Sequence, residues 1–506
     1  MALMPIGEIV RFWANKVPDR PAVTGEDRSV SWRELEERTN RLARAYQQLG
    51  VAQDDFVSIA LPNGVEFYEA VIAVLKAGAT PHPLSSNLPW RERDAIIALA
   101  NPSLVIGVEA GTHGTRPSLP PNYEPDAGLS NAPLPDLAAK HWKLNSSGGS
   151  TGRPKLILNT NPALIDIEAA PPMRVPRMSV QLIPGPLYHS APYLTSFRGL
   201  FVGNHIVVMT RFNAEAALAL IERHRVEWAV FVPTMMSRIS KLDPETLKTY
   251  DLSSLQMILH LGSSCPPWVK RQWIEWLGPE RVHELYGASE GIIETWITGD
   301  EWLSHPGSVG RPVRCEIKIL DDDGTEVPHG EVGEVYSRPG PGFGNFRYLS
   351  DDPRRRRDGW ETIGDLGWMD ADGYVYIADR RVDMIVTGGA NVYPAEVEAA
   401  IDQHPDIRSS AVIGLPDDDL VSRVHAVVET SKPIDIDDMR AFLAERLARY
   451  KIPRTFEFVS DSIRDEAGKV RRSALRAARL APEAGPETTF DSTSTPTSDK
   501  HGKVNS

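Results

Sequence analysis

Residues 56–108 read FVSIALPNGVEFYEAVIAVLKAGATPHPLSSNLPWRERDAIIALANPSLVIGV. FVSIA is a short apolar run closed by Pro-Asn-Gly, and VEFYEAVIAVLKAGA has helix length and ends at glycine. The order strand, helix, strand then repeats through WRERDAIIALA to SLVIGV. Such alternation predicts a parallel α/β sheet. Upstream, SWRELEERTNRLARAYQQLG (31–50) places Trp32, Leu35, Leu42 and Ala45 near one helical face and stops at Gly50. Downstream, a stretch rich in Pro, Gly and Asn over 108–138 reads as surface loop, and AEAALALIERHRVEWAVFVP and LQMILHLG resume the alternation. From about residue 311, runs such as EIKILDDDGTEVPHGEVGEVYSR read as hairpins. Beyond DRRVDM (379–384), AEVEAAIDQHP, DIRSSAVIGLP, VSRVHAVVET and DMRAFLAERLARY read as helix, strand, strand, helix, the content of a small α+β domain. Residues 481–506 are mostly Thr, Ser, Pro and Gly with almost nothing to bury, and are expected to be a disordered tail.

A chain of 506 residues exceeds one ordinary core, so two or more domains are expected. The net charge of −13 excludes a general nucleic-acid binder and a surface adapted to anionic lipid. A nucleotide stays open, because a phosphate site needs only a local cluster of donors. No apolar run reaches bilayer length, and Glu8 and Arg11 interrupt the N-terminus too early for a secretory segment. Cys265 and Cys315 are too few and too isolated for a disulfide framework or a CxxC metal site; both are expected as small buried residues in a cytoplasmic protein.

SSGGSTGRPK (146–155) carries the strongest local signal. Its glycines let the backbone approach a polyphosphate, Ser146, Ser147, Ser150 and Thr151 add donors, and Arg153 and Lys155 add positive charge. The spacing is not that of a Walker loop. Gly148-Gly149-Ser150-Thr151-Gly152 also satisfies the GxSxG pattern of serine hydrolases, which needs a helix directly after the serine. RPKLIL has no helical period, and Pro154 biases Arg153 toward extended backbone, so that reading is set aside.

With PLYHSAP (186–192), ELYGASEG (284–291), GDLGWMDADGYVYIADRRVDMIVTGGANVYPAEVE (364–398) and EAGKVRR (466–472) in the same order, the chain resembles the adenylate-forming superfamily over residues 5–475. That superfamily includes acyl-CoA synthetases, luciferases and peptide-synthetase adenylation domains. Within it, the motifs resemble those of bacterial ligases for bulky acids, including bile-acid types and diterpenoid-antibiotic pathways. The resemblance implies a large N-terminal domain of parallel α/β sheets with a β-rich subdomain (1–379), a hinge (380–383) and a small mobile α+β domain (384–480). It implies ATP, Mg²⁺ and coenzyme A as cosubstrates, a carboxylic acid as substrate, and either a homodimer or a partner adenylating enzyme as possible associates.

The resemblance also implies residue roles. Ser146, Ser147, Gly148, Gly149, Ser150, Thr151, Gly152 and Lys155 would cradle the phosphates. Tyr286 and Gly287 would stack on adenine, with Glu284 accepting from its amino group and Gly262, Ser263 and Ser264 forming a wall. Ser289 would donate to the α-phosphate and Glu290 would hold Mg²⁺. Asp365 would accept from both ribose hydroxyls, assisted by Arg380. Lys469 would be the catalytic cation and His189 the gate of the acyl pocket, while Arg464, Arg471 and Arg472 read equally well as a solvated face. Gly388 and Gly389 would line the thiol tunnel.

LYHSAPYLTSF has no acid to pair an ammonium, which favours a simple carboxylic acid over an amino acid. Met235, Met236, Ile292 and Ile293 favour a hydrophobic one. Val382 stands where the hinge usually has Asp or Lys, Ile463 replaces a proline, and Val421-Ser422 replaces Gly-Glu. A bias toward thioester formation from an adenylate made elsewhere, loading of a carrier-protein thiol, and an inactive nucleotide-binding relative are therefore the readings set against a full ligase.

Overall fold

The computed structural model describes residues 3–148, 154–169, 171–349, 355–387, 389–417, 419–432 and 434–480. The expected tail, and the expected site residues Gly149, Ser150, Thr151, Gly152 and Gly388, lie outside the described residues.

The amphipathic segment forms helix Trp32–Gln48, opened by a capping box in which Ser31 and Glu34 satisfy each other's backbone N–H groups. Trp32, Leu35, Leu42 and Ala45 are all buried, as the 3.6-residue period requires. Helix Val65–Lys76 is buried nearly all round. Even Lys76 is inside, where it is held by Glu36 and Asn40.

The decisive stretch forms parallel strands Phe56–Ile59, Thr80–Pro83 and Leu104–Ile106, joined in a four-stranded sheet by Ser118–Leu119. A nine-stranded sheet follows, with strands starting at residues 282, 257, 228, 180, 205 and 21 running parallel side by side. The parallel sheet expected from the alternation forms its centre, and its two margins are antiparallel. The cause is local: only residues 288–293 separate Val282–Gly287 from Glu294–Thr298, too few for a helical crossover. The hairpins expected beyond residue 311 form a five-stranded antiparallel sheet. A further antiparallel sheet holds Leu144–Gly148 against Pro154–Asn159, so the glycine-rich loop joins two paired strands.

Residues 385–443 contribute a separate apolar cluster that includes Ile385, Val392, Val397, Ile401, Val412, Val428 and Leu443. The expected helix, strand, strand, helix are Pro394–Ile401, Ile407–Asp417, Val421–Thr430 and Ile436–Ala444. Strand Thr455–Val459, parallel to Val421–Thr430, and helix Arg472–Leu480 complete the unit. Between the two parts of the chain, Asp383 N–H donates to Arg380 O at 3.0 Å, and Val382 between them is 69% exposed. Among the described residues no helix is long and apolar enough to cross a membrane.

Candidate nucleotide and acid site

Strand Val282–Gly287 carries Tyr286 to its C-terminal end, and strand Trp360–Met369 carries Asp365. Their side chains meet: Tyr286 Oη donates to Asp365 Oδ2 at 2.5 Å. The other oxygen, Oδ1, is buried without a hydrogen-bond partner among the described residues, and Arg380 Nε stands 3.5 Å away. Burial pushes the Asp365 carboxyl above its ordinary range, while Arg380 and the Tyr286 bond pull it back. A half-satisfied buried carboxylate is costly. A vicinal diol is one of the few neutral groups that fills both of its oxygens.

Glu290 lies beyond the strand end and accepts from Tyr348 Oη at 2.7 Å, with Lys155 Nζ 5.9 Å from the Tyr348 ring. Ser146, at the base of the glycine loop, is anchored to His82, whose Nε2 is 2.9 Å from Ser146 Oγ and whose Nδ1 is 3.0 Å from Ser58 Oγ. Gly287 is tight as well, since a Cβ there would meet Ile293 O at 3.1 Å.

The lysine loop closes over this assembly from the small unit. Asp465 Oδ1 accepts from the N–H groups of Ala467 at 2.9 Å and Lys469 at 2.8 Å, folding the loop into a tight turn. Asp465 Oδ2 stands 3.9 Å from His189 Nε2. This is not an ion pair, because burial, reinforced by Lys469 and Arg471, holds His189 down at about 3 and keeps the imidazole neutral. Lys469 keeps solvent contact along its side chain. Its ammonium is nonetheless held below the ordinary range by desolvation and then by Arg380, with Asp465 and Glu290 opposing.

A phosphate loop, a tyrosine–carboxylate pair and a lysine brought in by a second unit together pose a family question that comparison answers. The AMP-binding enzyme family matches residues 10–345, and the AMP-binding enzyme C-terminal domain matches residues 396–469. The chain belongs to this family. It is 29% identical over 478 residues to the 2-succinylbenzoate–CoA ligase of Bacillus licheniformis, covering 91% of this chain and 98% of that one. It is 30% identical over 484 residues to the feruloyl-CoA synthase of an Amycolatopsis species, covering 92% and 96%. The solved o-succinylbenzoate CoA synthetase of Bacillus subtilis, in complex with its acyl-adenylate intermediate, superposes with a TM-score of 0.80 at 25% identity over 94% of this chain and 99% of that one.

Within this AMP-binding enzyme, some sequence expectations change. Glu284 is engaged in a buried ion pair through one of its two oxygens. It is 6% exposed and its Oε2 takes Lys270 Nζ at 2.5 Å, with His260 Nε2 3.8 Å away. A carboxylate this deep has to be matched by a cation, and Lys270 on helix Pro267–Leu277 is the one in reach. Arg464 and Arg472 are not a solvated face either. Both bind Glu398, at 3.2 and 2.8 Å, and Arg464 also donates to Gly468 O at 3.1 Å, which braces the lysine loop. Arg471 reaches Glu92 in the large unit at 3.3 Å.

Cys265 and Cys315 are free and half-buried rather than sealed in the core. Gly262, Ser263 and Ser264 form a loop after strand Met257–Leu261, open toward solvent at Gly262 and Ser264. Gly389 sits in the hairpin Ile385–Thr387/Ala390–Val392 with φ +81°, and a Cβ there would meet nothing within 4 Å.

Two buried residues beside the site carried no signal in the sequence reading. His82 is fully buried and held at about 3 by desolvation, so it serves Ser146 as a neutral imidazole. Lys143 is the other. Strand pairing, rather than any local string, brings both of them to the site.

Proposed function

We propose that the chain is an AMP-forming acyl-CoA ligase for a hydrophobic carboxylic acid. In the first half-reaction a carboxylate oxygen attacks the α-phosphate of ATP and pyrophosphate leaves. In the second the thiolate of coenzyme A attacks the acyl carbonyl and AMP leaves. The observation that carries this reading is the convergence of Lys469, from the small unit, with Tyr286, Asp365 and Glu290, from the large one.

In this reading the unpartnered Oδ1 and the Tyr286-bound Oδ2 of Asp365 take the ribose hydroxyls. Ser289 and the loop after Ser146 face the phosphates. Glu290 would hold Mg²⁺, which supplies charge neutralisation at the phosphates. Lys469 stabilises negative charge developing between carboxylate and leaving group. His189, neutral and beside the lysine loop, borders the acyl pocket. Met235, whose terminal methyl lies close to where a Cβ on Gly185 would stand, is the apolar candidate wall the contacts favour, with Met236, Phe231, Ile292 and Ile293 buried in the adjoining cores. The named acids of the two relatives, 2-succinylbenzoate and ferulate, are aromatic and suit such walls. The large unit spans 1–379, residues 380–383 are the hinge and 384–480 the rotating unit. A cytoplasmic location fits two free cysteines and described helices too short or too polar for a bilayer.

The test is a panel of aromatic, aliphatic and polycyclic acids with ATP, Mg²⁺ and coenzyme A, scored for AMP release and for the mass of the CoA ester. Pre-formed acyl adenylates are offered in parallel. AMP and CoA ester in equal amounts from at least one free acid is the expected result. Thioester formation from adenylates alone would limit the enzyme to the second half-reaction, and transfer only to a phosphopantetheine protein would replace coenzyme A as acceptor.

A further inference from the structure

Strand Leu144–Gly148 has two dissimilar faces. One face sends Leu144 into an apolar cluster with Leu156 and Leu158 and sets Ser146 on His82. Alternation turns Lys143 and Asn145 to the other face, and each is only 2% exposed. Lys143 Nζ donates to Ser190 Oγ at 3.0 Å, and among the described residues no carboxylate pairs with it. Asn145 Nδ2 is buried with no hydrogen-bond partner among the described residues.

Ser190 is the first residue of the 12-residue helix Ser190–Phe201, whose preceding residue His189 provides no side-chain cap. The ammonium therefore stands at a helix N-terminus, where free N–H groups and the dipole favour negative charge and oppose positive. Burial holds Lys143 at about 7, with Arg198 pushing the same way and Glu290 opposing. A buried cation without a counter-ion, an amide without an acceptor and a misaligned helix end are three separate costs. Lys143 and Asn145 share one face of the strand, and an anion bound there at the helix end would relieve all three.

The geometry points to an oxyanion subsite, built from Lys143, Asn145 and the N-terminus of helix Ser190–Phe201, that receives the carboxylate of the acid substrate. The inference rests on the acid-activating reading above and names the group that holds the acid. Its position suits the task, since His189, one residue before Ser190, faces the loop that carries Lys469. One carboxylate oxygen stays on Lys143 and Asn145. The other forms the bond to the α-phosphorus as the bond to the bridging oxygen breaks, and the electron pair leaves with pyrophosphate. Lys143 neither gives nor takes a proton in this step.

Lys143→Met keeps the length of the side chain and removes its charge. With the fastest acid from the panel, KM for the acid is expected to rise about tenfold or more, the loss of a charge-assisted hydrogen bond. The dissociation constant for ATP is expected to stay within about twofold, and the thermal midpoint to hold or rise because an unpaired buried charge is gone. The wild type is also expected to bind the acid in preference to its primary amide, a preference the variant loses. Lys143→Arg should restore part of the acid affinity. Asn145→Ala, which leaves the cation in place, should raise KM for the acid about threefold and supplies the test if the Met variant does not fold.

An active wild type whose Met variant keeps its KM for the acid overturns the subsite alone, as does an equal loss of ATP and acid affinity, which would assign the cation to the phosphates. A wild type that releases AMP with no acid overturns the ligase reading and the subsite with it.

Discussion

Lys469 enters the site at the tip of a turn that can barely change shape. Gly468 has φ +75°, a left-handed conformation costly for other residues, and a Cβ there would lie 2.2 Å from Thr234 Oγ1. Arg464 and Asp465 fix the turn from behind. The turn thus fixes where the lysine backbone sits against Thr234 of the large unit, and a group proposed to stabilise charge without reorganisation needs such a fixed mount. Lys469→Met is expected to slow acid-dependent pyrophosphate exchange about a hundredfold or more, while CoA-ester formation from supplied acyl adenylate stays within a few-fold. Equal losses in both assays would mean that Lys469 serves the fold or the nucleotide rather than adenylation. The Tyr286–Asp365 contact joins two strings that the sequence singled out, because each residue sits among neighbours as distinctive as itself. His82 and Lys143 were not, since His82 meets Ser146 across 64 residues of chain and Lys143 meets Ser190 across 47. The ion pair of Glu284 was not legible for a related reason, as its cation Lys270 arrives on a separate helix.

At the scale of elements, helix Pro394–Ile401 starts with Tyr393 in the cap position and no capping side chain of its own. Asp379, at the other side of the hinge, supplies the missing acceptor: Oδ2 takes the N–H of Ala395 at 2.9 Å and Oδ1 that of Arg380 at 2.7 Å. Burial nevertheless raises the Asp379 carboxyl from its ordinary 3.8 to about 6. Asp379→Ala should cost about 1 kcal/mol, the usual worth of a helix cap, read as a lower urea midpoint at pH 7. Because the folded-state value lies above the unfolded one, the native chain holds a proton between about pH 3.8 and 6 that the unfolded chain has lost. The Asp379 contribution to stability therefore falls as pH rises through that window. Urea midpoints from pH 4 to 7 should show this slope in the wild type and less of it in Asp379→Asn; identical slopes would rule the group out. The strands and helices of the α/β part were legible because length and flanking turns separate them cleanly. Strand Thr455–Val459 and helix Arg472–Leu480 were not read from the sequence. The first is only five residues long, and the second is a short basic helix with no fully buried position to set its period.

Across the whole molecule, the pose of the small unit is written in contacts between segments far apart in sequence, which is why no motif announced it. Lys241 of the large unit donates to Ile407 O at 2.6 Å and to Asp402 O at 3.2 Å, and Asp402 closes the C-terminal end of helix Pro394–Ile401. A cation at a helix C-terminus is favourable in charge as well as in hydrogen bonding. Arg471–Glu92 is a second bridge, but it is exposed and worth about 0.5 kcal/mol. The small unit rotates between half-reactions in enzymes of the kind this chain resembles, so a bond made in one pose shifts the balance of poses by its own free energy. Lys241 keeps part of its side chain in solvent, which sets the expected effect at that of an ordinary hydrogen bond, about 1 kcal/mol or fivefold. Lys241→Met should therefore slow pyrophosphate exchange about fivefold and leave thioester formation from acyl adenylate unchanged or faster. Glu92→Gln should move the same ratio less than about threefold. If Lys241→Met slows both half-reactions by one common factor, the contact is ordinary packing and does not select the pose. With residues 380–383 as the proposed hinge, the exposed Val382 adds no polar bond there, and the contacts far from it carry a larger share of that selection.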